Sequence, residues 1–157
     1  MNYGVMEKEF LTILIAASPI SELRGAIPTA IFIWDFAPLK AFLLSVFGNF
    51  LPVIPLLLFW KYLSGWLSHR IYFFNRFFSW LFERTQKKYN HHFEFWKELA
   101  LIIFVAIPLP FTGAWSGTIA AFVFGIPFWR AVLDISLGII IAGLIVLLLS
   151  RAGLSII

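Results

Sequence analysis

Two apolar stretches of this 157-residue chain are broken at their centres, and each is followed by an unbroken apolar run of membrane-spanning length. The first, Phe10–Trp34, contains Ser18-Pro19-Ile20-Ser21-Glu22-Leu23-Arg24-Gly25-Ala26-Ile27-Pro28. The second, Leu99–Phe124, contains Pro108-Leu109-Pro110-Phe111-Thr112-Gly113-Ala114-Trp115-Ser116-Gly117-Thr118. The unbroken runs are Ala41–Trp60 and Ala131–Ser150. Proline removes helix hydrogen bonds, and lipid offers nothing to replace them. A charge at bilayer depth costs about 2.5–3.5 kcal/mol on insertion scales, so Glu22 and Arg24 are expected to face a cavity, a partner or a pathway.

The surrounding composition fixes the solvent. The chain is 61% hydrophobic with a mean hydropathy of +0.92, against roughly 45–50% apolar for soluble domains. An integral membrane protein is expected. The net charge of +4 does not point to nucleic acid, because the basic residues lie beside apolar spans, where Lys and Arg mark the cytoplasmic face. Without cysteine there is no disulfide, thiolate metal site or catalytic thiol. Glu7-Lys8-Glu9 is mixed in sign and the run after it leads straight into Pro19 and Glu22, so the N-terminus reads as retained. The chain is small for a transporter, which makes a homo-oligomer plausible.

Each broken stretch is long enough for one tilted span and too short for two. Two half-helices of about 10–12 residues each reach roughly 15–18 Å, half the hydrocarbon thickness, which is the pattern of a re-entrant hairpin with its turn at Glu22–Gly25. The alternative is a kinked crossing helix with a buried Glu22–Arg24 pair, although residues at i and i+2 do not face each other on a helix. In the first unbroken run, Gly48 and Asn49 suit close packing and an interhelical hydrogen bond, and Pro52 and Pro55 predict a kink.

Lys61–Glu98 reads as a basic amphipathic helix lying in the membrane interface, with Trp66, Phe77 and Trp80 on its aromatic arc and Arg70, Arg76 and Arg84 among its basic residues. His91-His92 and Glu94 lack the i,i+4 spacing of a zinc pair, so no metal site is expected.

The halves also match each other. Gly25-Ala26 pairs with Gly113-Ala114, Thr29 with Thr118, Lys40-Ala41 with Arg130-Ala131, Leu43 with Leu133 and Gly48 with Gly138, at an offset drifting from 88 to 90 residues. Paired Gly/Pro-interrupted segments in corresponding halves point to a transporter binding site. The expected fold is all-α and a single membrane domain, 1–157: an inverted repeat of two re-entrant hairpins, each followed by a transmembrane helix (7–60 and 99–151), with the interfacial helix 61–98 between them. Charge counting does not choose the topology. Hairpins put eight basic residues on the connector side and three opposite, with both termini outside; crossing helices put nine inside and two outside.

Glu22-Leu23-Arg24-Gly25-Ala26-Ile27-Pro28 together with Pro108–Gly117 resembles the small multidrug export protein family, over nearly the whole chain. That family is distantly similar to DedA and scramblase-type membrane proteins. The resemblance implies two oppositely inserted hairpins plus an amphipathic helix, and the DedA-like relatives are associated with lipid flipping, lipid-carrier recycling and proton-dependent behaviour. This chain lacks their flanking spans and their richer set of acids and arginines.

The expected function is a small transporter or flippase for an anionic or amphipathic substrate, open to proton coupling, with membrane lipids as further partners. Arg24 is expected to hold a phosphate or carboxylate and Glu22 to carry a proton. Thr112, Ser116 and Thr118 would supply hydroxyls, Gly113 and Gly117 close backbone approach, and Asn49 and Asp134 the path. Asp134 reads equally well as an interfacial charge near Arg130. Gly25, Pro28, Pro108, Pro110 and Trp115 complete the two tips. An uncoupled lipid scramblase and a non-transporting scaffold are the alternatives. No nucleophile–base pair or nucleotide loop is present, so neither an enzyme nor a cofactor is expected.

Overall fold

In a computed structural model, residues 3–70, 91–109 and 112–153 are described, and they form helices joined by short turns, with no strand among them. Helix α1 (Tyr3–Ala17) ends two residues before Pro19. The chain then turns through Ser18–Ser21, where the Ser18 hydroxyl accepts the Ser21 N–H at 3.3 Å and the Ser18 carbonyl accepts the Glu22 N–H at 3.2 Å. The first break therefore lies a few residues before the Glu22–Gly25 position expected from the sequence. Pro19 sets it, and Glu22 already opens helix α2 (Glu22–Pro28). Pro28 has no N–H to donate, and the helix continues past it as a π-helical turn, Thr29–Ile33.

Helices α3 (Pro38–Phe50) and α4 (Val53–Arg70) flank a turn at Leu51-Pro52, the kink the prolines predict. After the connector come α5 (His91–Ala106), α6 (Ala114–Val123) and α7 (Phe128–Arg151). The second break is also shorter than Pro108–Thr118. It ends at Gly113, whose φ of 151° suits only glycine, and Ala114 onward is helical. The helical ends of the 61–98 connector belong to α4 and α5. Its middle, with Arg76, Phe77, Trp80 and Arg84, lies outside the described residues, as do Pro110 and the side chains of Trp66 and Arg70.

Two rods, Pro38–Leu63 and Phe128–Arg151, are long and apolar enough to cross a bilayer, with mean hydropathies of 2.2 and 2.8. Between helices already in lipid there is little hydrophobic drive, so close approach at small residues does the packing. On α3, a Cβ at Gly48 would lie 2.6 Å from the Ile13 carbonyl and 2.9 Å from Ala16. On α7, a Cβ at Gly138 would lie 2.6 Å from Val105 and 3.1 Å from the Ile102 carbonyl. Each glycine contact is accompanied by an ion pair that joins the middle of the first helix to the start of the second: Glu9 with Lys40, and Glu98 with Arg130 at 3.0 Å.

These contacts fix direction. Glu9 meets Lys40 and Ile13–Ala16 meets Gly48, so α1 and α3 lie side by side and run the same way. Glu98 meets Arg130 and Ile102–Val105 meets Gly138, so α5 and α7 do the same. In each half the intervening segment carries the chain back to the level at which it began. In the second half Lys97, in the first half of α5, donates to the carbonyl of Phe124 just past α6 at 3.4 Å. Each returning helix also packs on the other half's rod, α2 on α7 and α6 on α4. The buried core follows one stripe of α7, Ala131, Ile135, Ile139, Ala142 and Val146, with Leu23, Ile27, Leu101 and Val105 against it.

Candidate functional site

The N-terminus of α6 has an unusual cap. Its first-turn N–H groups have no intrahelical partners, and the N-cap residue is Gly113, which has no side chain to offer them. The missing acceptor comes from the other half of the chain. Glu22 Oε1 accepts the Trp115 N–H at 3.5 Å, and the Ala114 N–H also bears on the carboxylate. A negative charge is well placed there, because the helix dipole is positive at that end. Trp115 returns the contact: its indole Nε1 donates to the carbonyl of Ala17, the last residue of α1, at 3.0 Å. The tips of the two broken segments thus satisfy each other's orphan backbone groups.

Glu22 sits at φ 46°, a left-handed conformation that costs a non-glycine residue about 1–2 kcal/mol. It is 6% exposed. The conformation is held in place by the turn hydrogen bonds before it and the α6 amides ahead of it. Gly113 is equally constrained, since any Cβ there would fall on the Glu22 carboxylate.

A cavity of about 10 Å³ lies beside this contact, room for roughly one water. Its polar wall is Glu22, Arg24, Asn49 and Thr112, with Pro108 and Gly113 at the second break and Val105, Ile139 and Val146 on the apolar side. A small-molecule pocket needs about 300–1,000 Å³, so the site is closed in this conformation. Arg24 makes no hydrogen bond or ion pair among the described residues. The sequence alternative of a buried Glu22–Arg24 ion pair is absent, and Arg24 acts on Glu22 only through its longer-range field. Asn49 is 1% exposed and its Oδ1 has no partner, so the expected interhelical hydrogen bond is not made by that atom.

The other expected residues divide by what they touch. The Thr112 hydroxyl accepts the Leu109 N–H at 3.1 Å and lies 2.5 Å from the Ile107 carbonyl, so it staples the second break as well as lining the cavity. Ser116 donates to the Gly113 carbonyl at 3.4 Å. Thr118 is fully buried away from the cavity, donating to the Trp115 carbonyl at 2.7 Å and accepting from Trp60 Nε1 at 3.3 Å. Gly117 faces Val105, Gly25 faces Ser21 and Ile15 within its own segment, and Pro28 lies inside the α2–π helix. Asp134 is not on the cavity wall. It is buried one turn beyond Arg130, with Glu98 and Arg130 as its charged neighbours, and its Oδ2 is unpartnered.

Sequence reasoning missed Trp60, which stacks on Phe122 at 6.1 Å and joins α4 to α6. Its position at the end of an apolar run was visible, but its partner was not. The apolar cavity wall from α7 was also missed, since nothing local distinguishes Ile139 or Val146 from their neighbours.

A family model described as "Putative small multi-drug export protein" matches residues 22–145, from Glu22 to within α7. No curated protein and no solved structure matches the chain. The match covers most of the sequence, and the chain belongs to that family. The family's description and the two apolar rods agree on a membrane protein of the export class.

Proposed function

We propose that this member of the small multi-drug export family is a proton-coupled transporter. Its anionic or amphipathic substrate would pass between the tips of two re-entrant hairpins inserted from opposite faces of the membrane. The observation that carries this is the Glu22 carboxylate seated on the α6 amides, which joins the two tips beside Arg24 in a closed cavity. The parallel runs of α1 with α3 and of α5 with α7 support the hairpins, because a chain crossing four times would make successive crossings antiparallel. The recurrence of the ion pair and the glycine contact at an offset of 89–90 residues supports a repeat, and the meeting of the two tips supports its inversion. With the basic connector on the cytoplasmic face, both termini lie outside.

The chemistry follows from the donors. Arg24 offers a planar fork to a carboxylate or phosphate, and the α6 N-terminus offers two amides. A substrate enters only when the tips part, and a proton on Glu22 removes the charge that holds them together. Side chains such as Phe32, Phe47, Leu133 and Leu148 remain on the outside for lipid.

The test is carboxyfluorescein movement in proteoliposomes with an imposed pH gradient. Wild-type protein should move the dye faster with the gradient, Arg24→Ala should slow it by about tenfold or more, a lost charge-assisted contact, and Glu22→Gln should abolish the gradient dependence. Full gradient-driven transport by Glu22→Gln would refute the coupling role. Movement of fluorescent phosphatidylglycerol in both directions without a gradient would instead identify an uncoupled scramblase.

A further inference from the structure

We infer that Asn49 is the second seat of the Glu22 side chain: ionised, Glu22 rests on the α6 amides; protonated, it turns across the cavity and donates its proton to Asn49 Oδ1. The inference deepens the proposed coupling and rests on Glu22 being the group that carries the proton.

Two complementary observations carry it. An ionised carboxylate is an acceptor only, and the α6 N-terminus presents donors only, N–H groups of Ala114 and Trp115. A protonated carboxyl gains an O–H that needs an acceptor, and the α6 amides have none to give. Asn49 Oδ1 is an acceptor with no donor, in a side chain 1% exposed, and Asn49 lines the same cavity as Glu22. Leaving a buried polar atom unpaired costs about 1–3 kcal/mol, a cost the protonated state would remove. The cavity that both residues line admits about one water, which is the room offered to the carboxyl as it turns. Once the carboxylate leaves, the α6 amides are free for the substrate's anionic group.

The charges around the pair are few. Arg24 on α2 is the charged side chain whose field reaches Glu22. On the elements packed against the site, α1 carries Glu7, Lys8 and Glu9 in its first half, α3 carries Lys40 paired to Glu9, and α6 carries no titratable side chain. Helix α5 carries His91, His92, Glu94, Lys97 and Glu98 in its first half, and α7 carries Arg130 and Asp134 at one end and Arg151 at the other. Glu22 is therefore the acid whose protonation is felt at the cavity.

The experiment uses the full chain, which has no native cysteine, with Ala142→Cys on the cavity wall as reporter. Dithiodipyridine, which reacts in acid as well as in neutral solution, reads cavity opening in liposomes. Acid should speed labelling by about tenfold or more, and Glu22→Gln should label fast at every pH. Asn49→Leu should cut the acid-induced rate by about tenfold, the effect of losing one buried hydrogen bond. An Asn49→Leu protein with the wild-type acid response overturns the inference. An unmutated protein with ¹³C-labelled asparagine side chains gives an independent reading that survives any folding defect. Acid should shift an asparagine amide C=O infrared band, and Glu22→Gln should abolish that shift; an unmoved band also overturns it. Both readouts stand without transport. Gradient-driven dye movement with an unmoved band would sink Asn49 alone, and a moving band without dye transport would sink the transport reading alone.

Discussion

The two broken segments share a frame and differ at their tips. Outside the tips the halves are alike: an ion pair between two parallel helices and a glycine contact further along, Glu9–Lys40 with Gly48 in one and Glu98–Arg130 with Gly138 in the other. At the tips the first segment brings charge, Glu22 and Arg24, while the second brings backbone, a glycine cap and the bare amides of α6. One half supplies the anion and the other the donors that seat it. A repeat with two identical tips would place like against like, so the division of roles is what lets the halves close on each other.

The sharpest way to break this comparison is to alter the paired tip glycines. Gly113→Ala places a Cβ on the Glu22 carboxylate at a φ that alanine avoids, and should cost about 3 kcal/mol or more. Its sequence counterpart, Gly25→Ala, has no positive φ and places its Cβ 2.8 Å from Ser21 Cβ, a neighbour in the adjoining turn that must shift, and should cost about 1 kcal/mol. Thermal unfolding in detergent, followed by the fluorescence of the seven tryptophans, reads both. Equal losses would erase the distinction between the tips.

The frame makes the opposite demand. Gly48→Ala and Gly138→Ala each force a methyl to within about 2.6 Å of a neighbour, and should cost about 2 kcal/mol alike. A large loss at one and none at the other would break the equivalence of the halves. Smaller still, Trp60→Phe removes the hydrogen bond to Thr118 and should cost about 1 kcal/mol, leaving the Phe122 stack partly in place. The smallest effects belong to Glu9→Gln and Glu98→Gln. These part-exposed pairs should each contribute less than about 1 kcal/mol, and added salt should shrink the difference from wild type.

What could be read from the sequence follows the range of the interactions. Interruption of an apolar stretch is local, so the breaks and the kink at Pro52 were visible, to within the few residues by which Pro19 and Gly113 moved their edges. The Gly48/Gly138 and Lys40/Arg130 correspondences were visible because like residues recur at one offset, and in the fold each makes a like contact. The seating of Glu22 on Trp115 was not, since it joins residues 93 apart and uses a backbone N–H that every residue except proline has. For the same reason Thr118 read as a site hydroxyl, although its oxygen is engaged by Trp60 on the far side of α6. Asn49 could be singled out as a polar residue in an apolar rod, but its unpaired oxygen depends on what surrounds it in three dimensions.

The central claim is that the broken segments turn back inside the membrane and meet, and sidedness tests it most directly. Single cysteines at Asn2, Leu154 and Ser79 in intact cells, probed with a membrane-impermeant maleimide, compare both termini with the connector. Paired hairpins put Asn2→Cys and Leu154→Cys on the outside and Ser79→Cys on the cytoplasmic side. Four crossing helices put all three on one side, and that result would contradict the account.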